Sequence, residues 1–264
     1  MSAVFAASRP SAGGWLAIVG LGPGADELLT PQAAQALAQA TDVFGYFPYV
    51  ERVPQRPGLV RHASDNREEL VRARQAIELA AAGRQVVVVS SGDPGVFAMA
   101  SAVCEALEAG PQSWGEVDVR VLPGITAMLA ASARAGAPLG HDFCAINLSD
   151  NLKPWALIER RLRLAAEADF AIALYNPRSK ARPEGFARAL QALREAGGGE
   201  RLVLFARAVT TPDEQLKVVS LAEARPEMAD MRTVVIVGSS QTRLIERPAG
   251  ALLYTPRAAP GMAE

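Results

Sequence analysis

The chain of 264 residues is poor in the side chains that announce chemistry by themselves. Its two cysteines, Cys104 and Cys144, stand without CxxC or Cys/His spacing. A four-cysteine iron–sulfur cluster within one chain is therefore excluded, and no metal site is expected. Both cysteines sit on apolar stretches and read as buried free thiols. There are only two histidines, His62 and His141, so acid–base chemistry has few imidazoles to draw on. Charge of one sign is also missing, since 27 Lys and Arg nearly balance 28 Asp and Glu. With aromatics at 6%, neither a global basic field nor a stacking surface points to nucleic acid as a partner. The apolar runs, such as Phe170 to Tyr175 and Val234 to Val237, fall far short of the roughly 20 residues of a membrane helix, and no membrane partner is expected. Residues 1–14 contain one Arg and no apolar run of signal length, which reads as a disordered leader and makes the cytoplasm the expected compartment.

What the chain does have is apolar residues at 50%, enough for a substantial core, arranged in an α/β pattern. Strands are expected at Leu16–Gly20, Asp42–Phe47, Gln85–Ser90, Val117–Leu122 and Phe143–Leu148, each apolar enough to be covered on both faces, with helices between them. Thr30 before Pro31 reads as an N-cap followed by proline at the first helical position. Gly83 ends the helix opened by Asn66 to Glu69. Past a polar break near Ser149 to Lys153 the pattern changes to a helix at Pro154–Ala166 and strands at Phe170–Tyr175, Leu202–Arg207, Leu216–Leu221 and Thr233–Gly238. A further helix is expected at Glu184–Ala196, with antiparallel, hairpin-like connections after Arg207. The expected organisation is a first α/β domain over 15–150, a second over 151–257 and a loose tail over 258–264.

The first strand runs into Gly20-Leu21-Gly22-Pro23-Gly24-Ala25, which formally satisfies the dinucleotide fingerprint. The physical context opposes that reading. Pro23 removes an amide donor, the first helix opens only at Thr30, and Asp42 opens the second strand instead of closing it. A plain turn with glycines relieving sterics is the alternative. Small residues recur where the other strands end: Ser91-Gly92-Asp93-Pro94-Gly95-Val96-Phe97, then Pro123-Gly124-Ile125-Thr126-Ala127, then Asn147-Leu148-Ser149-Asp150-Asn151. Tyr175-Asn176-Pro177-Arg178-Ser179 and Val237-Gly238-Ser239-Ser240 follow. The carboxyl ends of strands are where open α/β sheets bind ligands.

In order, these loops resemble those of the tetrapyrrole methylase family, with its G-x-G-P-G, G-D-P and P-G-x-T/S-A motifs, over about Trp15 to Thr255. The resemblance implies two α/β domains, each a mixed sheet flanked by helices, with the active site in the cleft between them. It further implies S-adenosyl-L-methionine as cofactor, S-adenosyl-L-homocysteine as product, and a homodimer. For the dimer, the aromatic stretch Phe44 to Tyr49 is the expected apolar surface. Cofactor contacts are expected from Gly22, Pro23, Ser91, Gly92, Asp93, Val96, Phe97, Thr126, Ala127, Leu148, Tyr175, Asn176, Pro177 and Ala208. The Leu-Ser-Asp loop before Pro154-Trp155, together with Tyr-Asn-Pro-x-Ser and Arg182, implies precorrin-3B as substrate, methylated at carbon 17 with ring contraction to precorrin-4. Precorrins carry many carboxylates, so Asn151, Arg178, Ser179, Lys180, Arg182 and Arg207 are expected at the substrate. Ser149, Asp150 and His62 are the catalytic candidates; His141, on the entry to the fifth strand, reads as structural. Action on another corrin carbon or a non-tetrapyrrole acceptor, and a tetrapyrrole carrier without catalysis, are the alternatives.

Overall fold

The computed structural model describes residues 13–65, 67–179, 182–259 and 261. Most of the expected leader, part of the tail, and Asn66 and Lys180 lie outside them. The chain divides into two compact units, the first ending at Thr126 and the second beginning at Ala127.

In the first unit five strands pair in parallel: β1 (Trp15–Gly20), β2 (Asp42–Tyr46), β3 (Val60–Ser64), β4 (Gln85–Ser90) and β5 (Asp118–Leu122). Their spatial order is β3-β2-β4-β1-β5. Alternate residues of each strand serve opposite faces. Trp15, Ala17, Val19, Val43, Val87 and Val89 pack against Ala33, Ala36 and Leu37 of α1 (Pro31–Gln39) and Val50 of α2 (Phe47–Glu51). On the other face, Leu16, Ile18, Phe44, Val86 and Val88 meet α3 (Glu69–Ala81) and α4 (Met99–Glu108). Each fully buried Leu or Ile in such a core is worth about 1.5–3 kcal/mol relative to exposure. The Thr30 cap is present, its side chain accepting from the Ala33 amide at 3.2 Å ahead of Pro31.

The second unit opens with α5 (Ala127–Ala135) and contains β7 (Phe143–Asn147), α6 (Trp155–Glu167), β8 (Ala171–Tyr175), α7 (Gly185–Gly197), β9 (Leu202–Arg207), β10 (Gln215–Ser220) and β11 (Thr233–Val237). Its main sheet has the order β10-β9-β11-β8-β7, with β7 and β8 parallel and the remaining pairs antiparallel. One face buries Ile146, Ile172, Leu174, Val203, Phe205 and Val235 against Ile158 and Leu162 of α6 and Phe186 and Leu190 of α7. A small sheet joins β6 (Gly136–Ala137) to a hairpin of β12 (Arg243–Ile245) and β13 (Leu252–Tyr254).

Several expectations are corrected. The strand at Phe143, assigned to the first domain, pairs with β8, so the division falls at Thr126/Ala127 and not near Ser149–Lys153. Polarity marked a loop within the second unit, not its boundary. Strand β3 was missed because Val60-Arg61-His62-Ala63-Ser64 carries little apolar signal; it sits at the sheet edge, where one flank needs no cover. Cys104 is exposed and Cys144 half-buried, the latter's thiol pushed above its ordinary pKa by burial. Of the aromatic stretch proposed as a dimer face, Phe44 is 2% exposed inside the sheet, Tyr46 and Tyr49 are half-buried, and Phe47 and Pro48 are exposed. No helix among the described residues is long and apolar enough to cross a membrane.

Candidate functional site

In the first unit the loops after β1, β4 and β5 are held together by backbone. The amides and carbonyls of Gly22 and Gly92 exchange hydrogen bonds of 3.2 and 2.9 Å. A Cβ on Gly20 would lie 2.5 Å from the Gly92 carbonyl oxygen, and one on Gly124 would lie 2.2 Å from that same atom. These glycines are therefore required by the mutual approach of three loops, the steric reading of the glycine motif. Asp93 completes the join. One carboxylate oxygen accepts from the Gly95 amide at 2.8 Å and the other from the Gly124 amide at 3.1 Å, so it bonds two loops to each other as well as standing at the rim.

Arg52, in the turn after α2, reaches the glycine loop from behind. Its guanidinium donates to the carbonyls of Leu21 at 2.8 Å, Gly22 at 3.2 Å and Gly24 at 3.1 Å. With carbonyls turned inward to a cation, this loop does not offer the row of free amides that a dinucleotide pyrophosphate needs. Nothing in the local sequence singled Arg52 out; it is brought near by β2 lying two strands from β1. Beyond Asp93, Val96 is half-buried and Phe97 is exposed with φ 54°, a conformation that a bulky residue adopts only under local constraint. Ser91 and Pro23 are half-buried, and Thr126, at the end of this unit, is 5% exposed.

His62 is not at this rim. It lies in β3, its ring stacked on Phe44 at 4.1 Å and its Nε2 2.9 Å from Asp42 Oδ1. Asp42 begins β2, so the imidazole leans toward the end of the sheet opposite the loops. His62, expected as a catalytic candidate, is thus engaged by Phe44 and Asp42 and not by the rim loops of this unit. Burial pushes the Asp42 carboxyl up, but hydrogen bonds from Arg84, His62 and Thr41 outweigh it and hold the group below its ordinary value.

In the second unit the loops after β7 and β8 are tied side by side. Asn147 Oδ1 accepts from the Ser149 amide at 2.9 Å and from Asn176 Nδ2 at 3.1 Å, and the Leu148 amide donates to the Tyr175 carbonyl at 2.9 Å. The Tyr175 hydroxyl accepts from the Met128 amide, in the first turn after Ala127, at 3.0 Å. Asn176 has φ 52° and Ala208 φ 48°, so two expected cofactor residues hold left-handed conformations at strand ends, the second of them costly for alanine. Leu148 and Pro177 are buried, whereas Asp150 and Asn151 are exposed.

A recess of about 220 Å³ in this unit is lined by Leu148, Asp150, Trp155, Pro177 and Arg182 among others. Arg182 donates to the Leu148 carbonyl at 3.5 Å, and its amide bonds Ser179. The Nε of Arg178 is buried without a hydrogen-bond partner. Lys153 is held below its ordinary pKa by burial and by the positive charges of Arg161 and Arg182, with Asp150 opposing. The recess is thus lined by Arg182 and Arg188 together with Asp150 and Glu184. Arg207 stands apart from them, its guanidinium taken up by Asp230 at 2.8 Å. Burial raises Asp230, but Arg207, Thr233 and the Arg232 amide lower it further, leaving the carboxylate ionised in that pair. The pairing with Asp230 engages the Nε of Arg207, a residue expected at the substrate.

One unit is a parallel sheet with small-residue loops joined at its carboxyl ends and the other a mixed sheet with constrained loops at its strand ends, which together define an α/β protein of two units. The chain belongs to the tetrapyrrole (corrin/porphyrin) methylases, whose family pattern matches residues 16–225. It is 57% identical over 92% of its length to a precorrin-3B C(17)-methyltransferase of Sinorhizobium sp, covering 96% of that protein. The solved structure of the methyltransferase CobJ is 62% identical, covering 92% of this chain and 100% of that one, with a TM-score of 0.88. A uroporphyrin-III C-methyltransferase from Thermus thermophilus, solved with S-adenosyl homocysteine, is 24% identical with a TM-score of 0.62, covers 85% of this chain and 97% of that one, and shares the fold.

Proposed function

We propose that this chain transfers a methyl group from S-adenosyl-L-methionine to carbon 17 of precorrin-3B, with ring contraction to precorrin-4, in cobalamin biosynthesis. The observation carrying the proposal is identity of 57% to a protein of that name across almost the whole of both chains. When bound, the cofactor supplies an electrophilic methyl on a sulfonium sulfur. The residues present fit such a group: backbone around Gly22, Pro23, Gly92 and Val96, the Thr126 hydroxyl, the Asn176 amide, and the constrained backbones of Phe97 and Ala208.

The nucleophile is the macrocycle's own enamine-like carbon, so the protein's work is positioning, water exclusion and proton management. Arg178 and Arg182, the latter with Lys153 near it, bind peripheral carboxylates, and Ser179 and Asn151 add polar contacts. Ser149, its amide fixed by Asn147, hydrogen-bonds a substrate edge, and the exposed Asp150 carboxylate moves the proton of the macrocycle hydroxyl during rearrangement. A cytoplasmic homodimer is the expected state.

The test is incubation with precorrin-3A, precorrin-3B and cobalt-precorrin-3 plus methyl-labelled cofactor, following label and spectrum. Label entering precorrin-3B with a contracted-ring product supports the proposal; label in another substrate alone favours the alternative corrin carbon. Binding of S-adenosylhomocysteine and not NAD in calorimetry tests the cofactor, and a light-scattering mass near the 27.8 kDa of one chain overturns the dimer.

A further inference from the structure

Three carbonyls of the glycine loop, Leu21, Gly22 and Gly24, point at one guanidinium, that of Arg52. Between Gly22 and Gly24 lies Pro23, which has no amide hydrogen and so cannot tie itself to the β4 loop as Gly22 does. The first half of the loop is anchored by the Leu21 amide on the Ser90 carbonyl at 2.8 Å and by the Gly22–Gly92 exchange. Those fix the start of the loop; Gly24 beyond Pro23 is fixed by Arg52. Gly22 has φ 70°, a conformation in which the chain turns sharply and the following carbonyls need a donor. A half-buried arginine supplying three donors in a planar fork meets that need where a lysine would not.

We infer that Arg52 is a positioning residue for the cofactor, setting the place of Pro23 and Gly24 at the rim without touching the ligand itself. The inference rests on the cofactor reading above. Arg52 reaches the loop from the turn after α2, so the segment carrying Tyr46 and Phe47 is mechanically linked to the glycine loop. Losing the guanidinium frees the far half of the loop while leaving β1 paired on both sides, so the defect is local.

The experiment compares Arg52→Met and Arg52→Lys with the unaltered full-length protein in two arms. Titration with S-adenosylhomocysteine well below the melting temperature is expected to show affinity lower by about tenfold for Met and by a smaller factor for Lys, which keeps the charge and donors on one nitrogen but lacks the planar fork. Amide hydrogen exchange without ligand is expected to show faster exchange in Arg52→Met at Leu28, whose amide donates to the Ala25 carbonyl in the half of the loop beyond Pro23, while Leu21, Gly22 and the amides in the middle of β1 and β4 keep their protection. A cooperatively melting Arg52→Met whose affinity stays within about twofold of the unaltered protein overturns the inference. If Arg52→Met fails to fold, Arg52→Lys decides by the same criterion. If the unaltered protein itself does not bind S-adenosylhomocysteine, the cofactor reading falls, and unchanged exchange at Leu28 in Arg52→Met would then separately refute the hold of Arg52 on the loop.

Discussion

Removing one oxygen from Asp93 should cost folding stability, because both of its carboxylate oxygens are in use. In Asp93→Asn the oxygen facing the Gly95 amide, 2.8 Å away, can be kept, but the partner of the Gly124 amide becomes an NH2 group that cannot accept. A hydrogen bond to a charged acceptor is worth about 1.5–3 kcal/mol, and the lower end applies to a half-exposed side chain. The Asn variant should therefore lose about 1–2 kcal/mol and the Ala variant, which loses both bonds, about 2–3 kcal/mol. For a chain of this size that lowers the melting midpoint by about 3 °C per kcal/mol. Differential scanning calorimetry of both variants, followed by S-adenosylhomocysteine titration of whatever remains folded, measures the two consequences separately. A midpoint for Asp93→Asn equal to that of the unaltered protein would refute the argument, returning Asp93 to a rim residue whose loss touches binding alone.

The glycine contacts give a sharper steric test: Gly124→Ala places a Cβ 2.2 Å from the Gly92 carbonyl oxygen and should destabilise by about 2–3 kcal/mol, whereas Gly115→Ala, with open space around it, should be neutral in the same melt. His62→Gln should leave kcat within about threefold while lowering stability, since its ring serves Phe44 and Asp42; a loss of a hundredfold or more in steady-state turnover would restore it as an acid–base group. Because the folded-state pKa of Asp42 lies below its ordinary 3.8, its stabilisation is complete above about pH 4 and is lost as pH falls through the depressed value. Acid melts of Asp42→Asn should accordingly show a shallower stability loss below pH 4 than the unaltered protein; parallel curves would contradict the pairing.

The strands of both sheets were legible wherever burial on two faces wrote a continuous apolar run, as in Val86-Val87-Val88-Val89. The Thr30-Pro31 helix start was legible because cap chemistry is local. What stayed hidden was pairing. Nothing in Phe143-Cys144-Ala145-Ile146-Asn147 states which sheet it joins, since a strand carries its faces in sequence but not its neighbours. The rim loops could be recognised by composition, yet whether their glycines serve a ligand or one another depended on strand order. The same limit applied to charges: Arg207 and Arg182 look alike in sequence, and only the proximity of Asp230 separates them. Arg52 was invisible for the converse reason, having partners that are backbone carbonyls of no particular residue type.

The meeting of Gly20, Gly92 and Gly124 carries a consequence for how the first unit matures. The three loops belong to strands separated widely along the chain, and β1 lies between β4 and β5, so the junction exists only after both have docked on it in the correct register. Non-local parallel pairings of this kind close late, because chain entropy must be spent before any contact repays it. A nascent chain lacking β5 already contains α1 to α4 and four of the five strands of this sheet and still has no finished rim. On the cofactor assignment proposed above, competence to bind S-adenosylhomocysteine should thus lag behind secondary structure during refolding, appearing with the slowest phase.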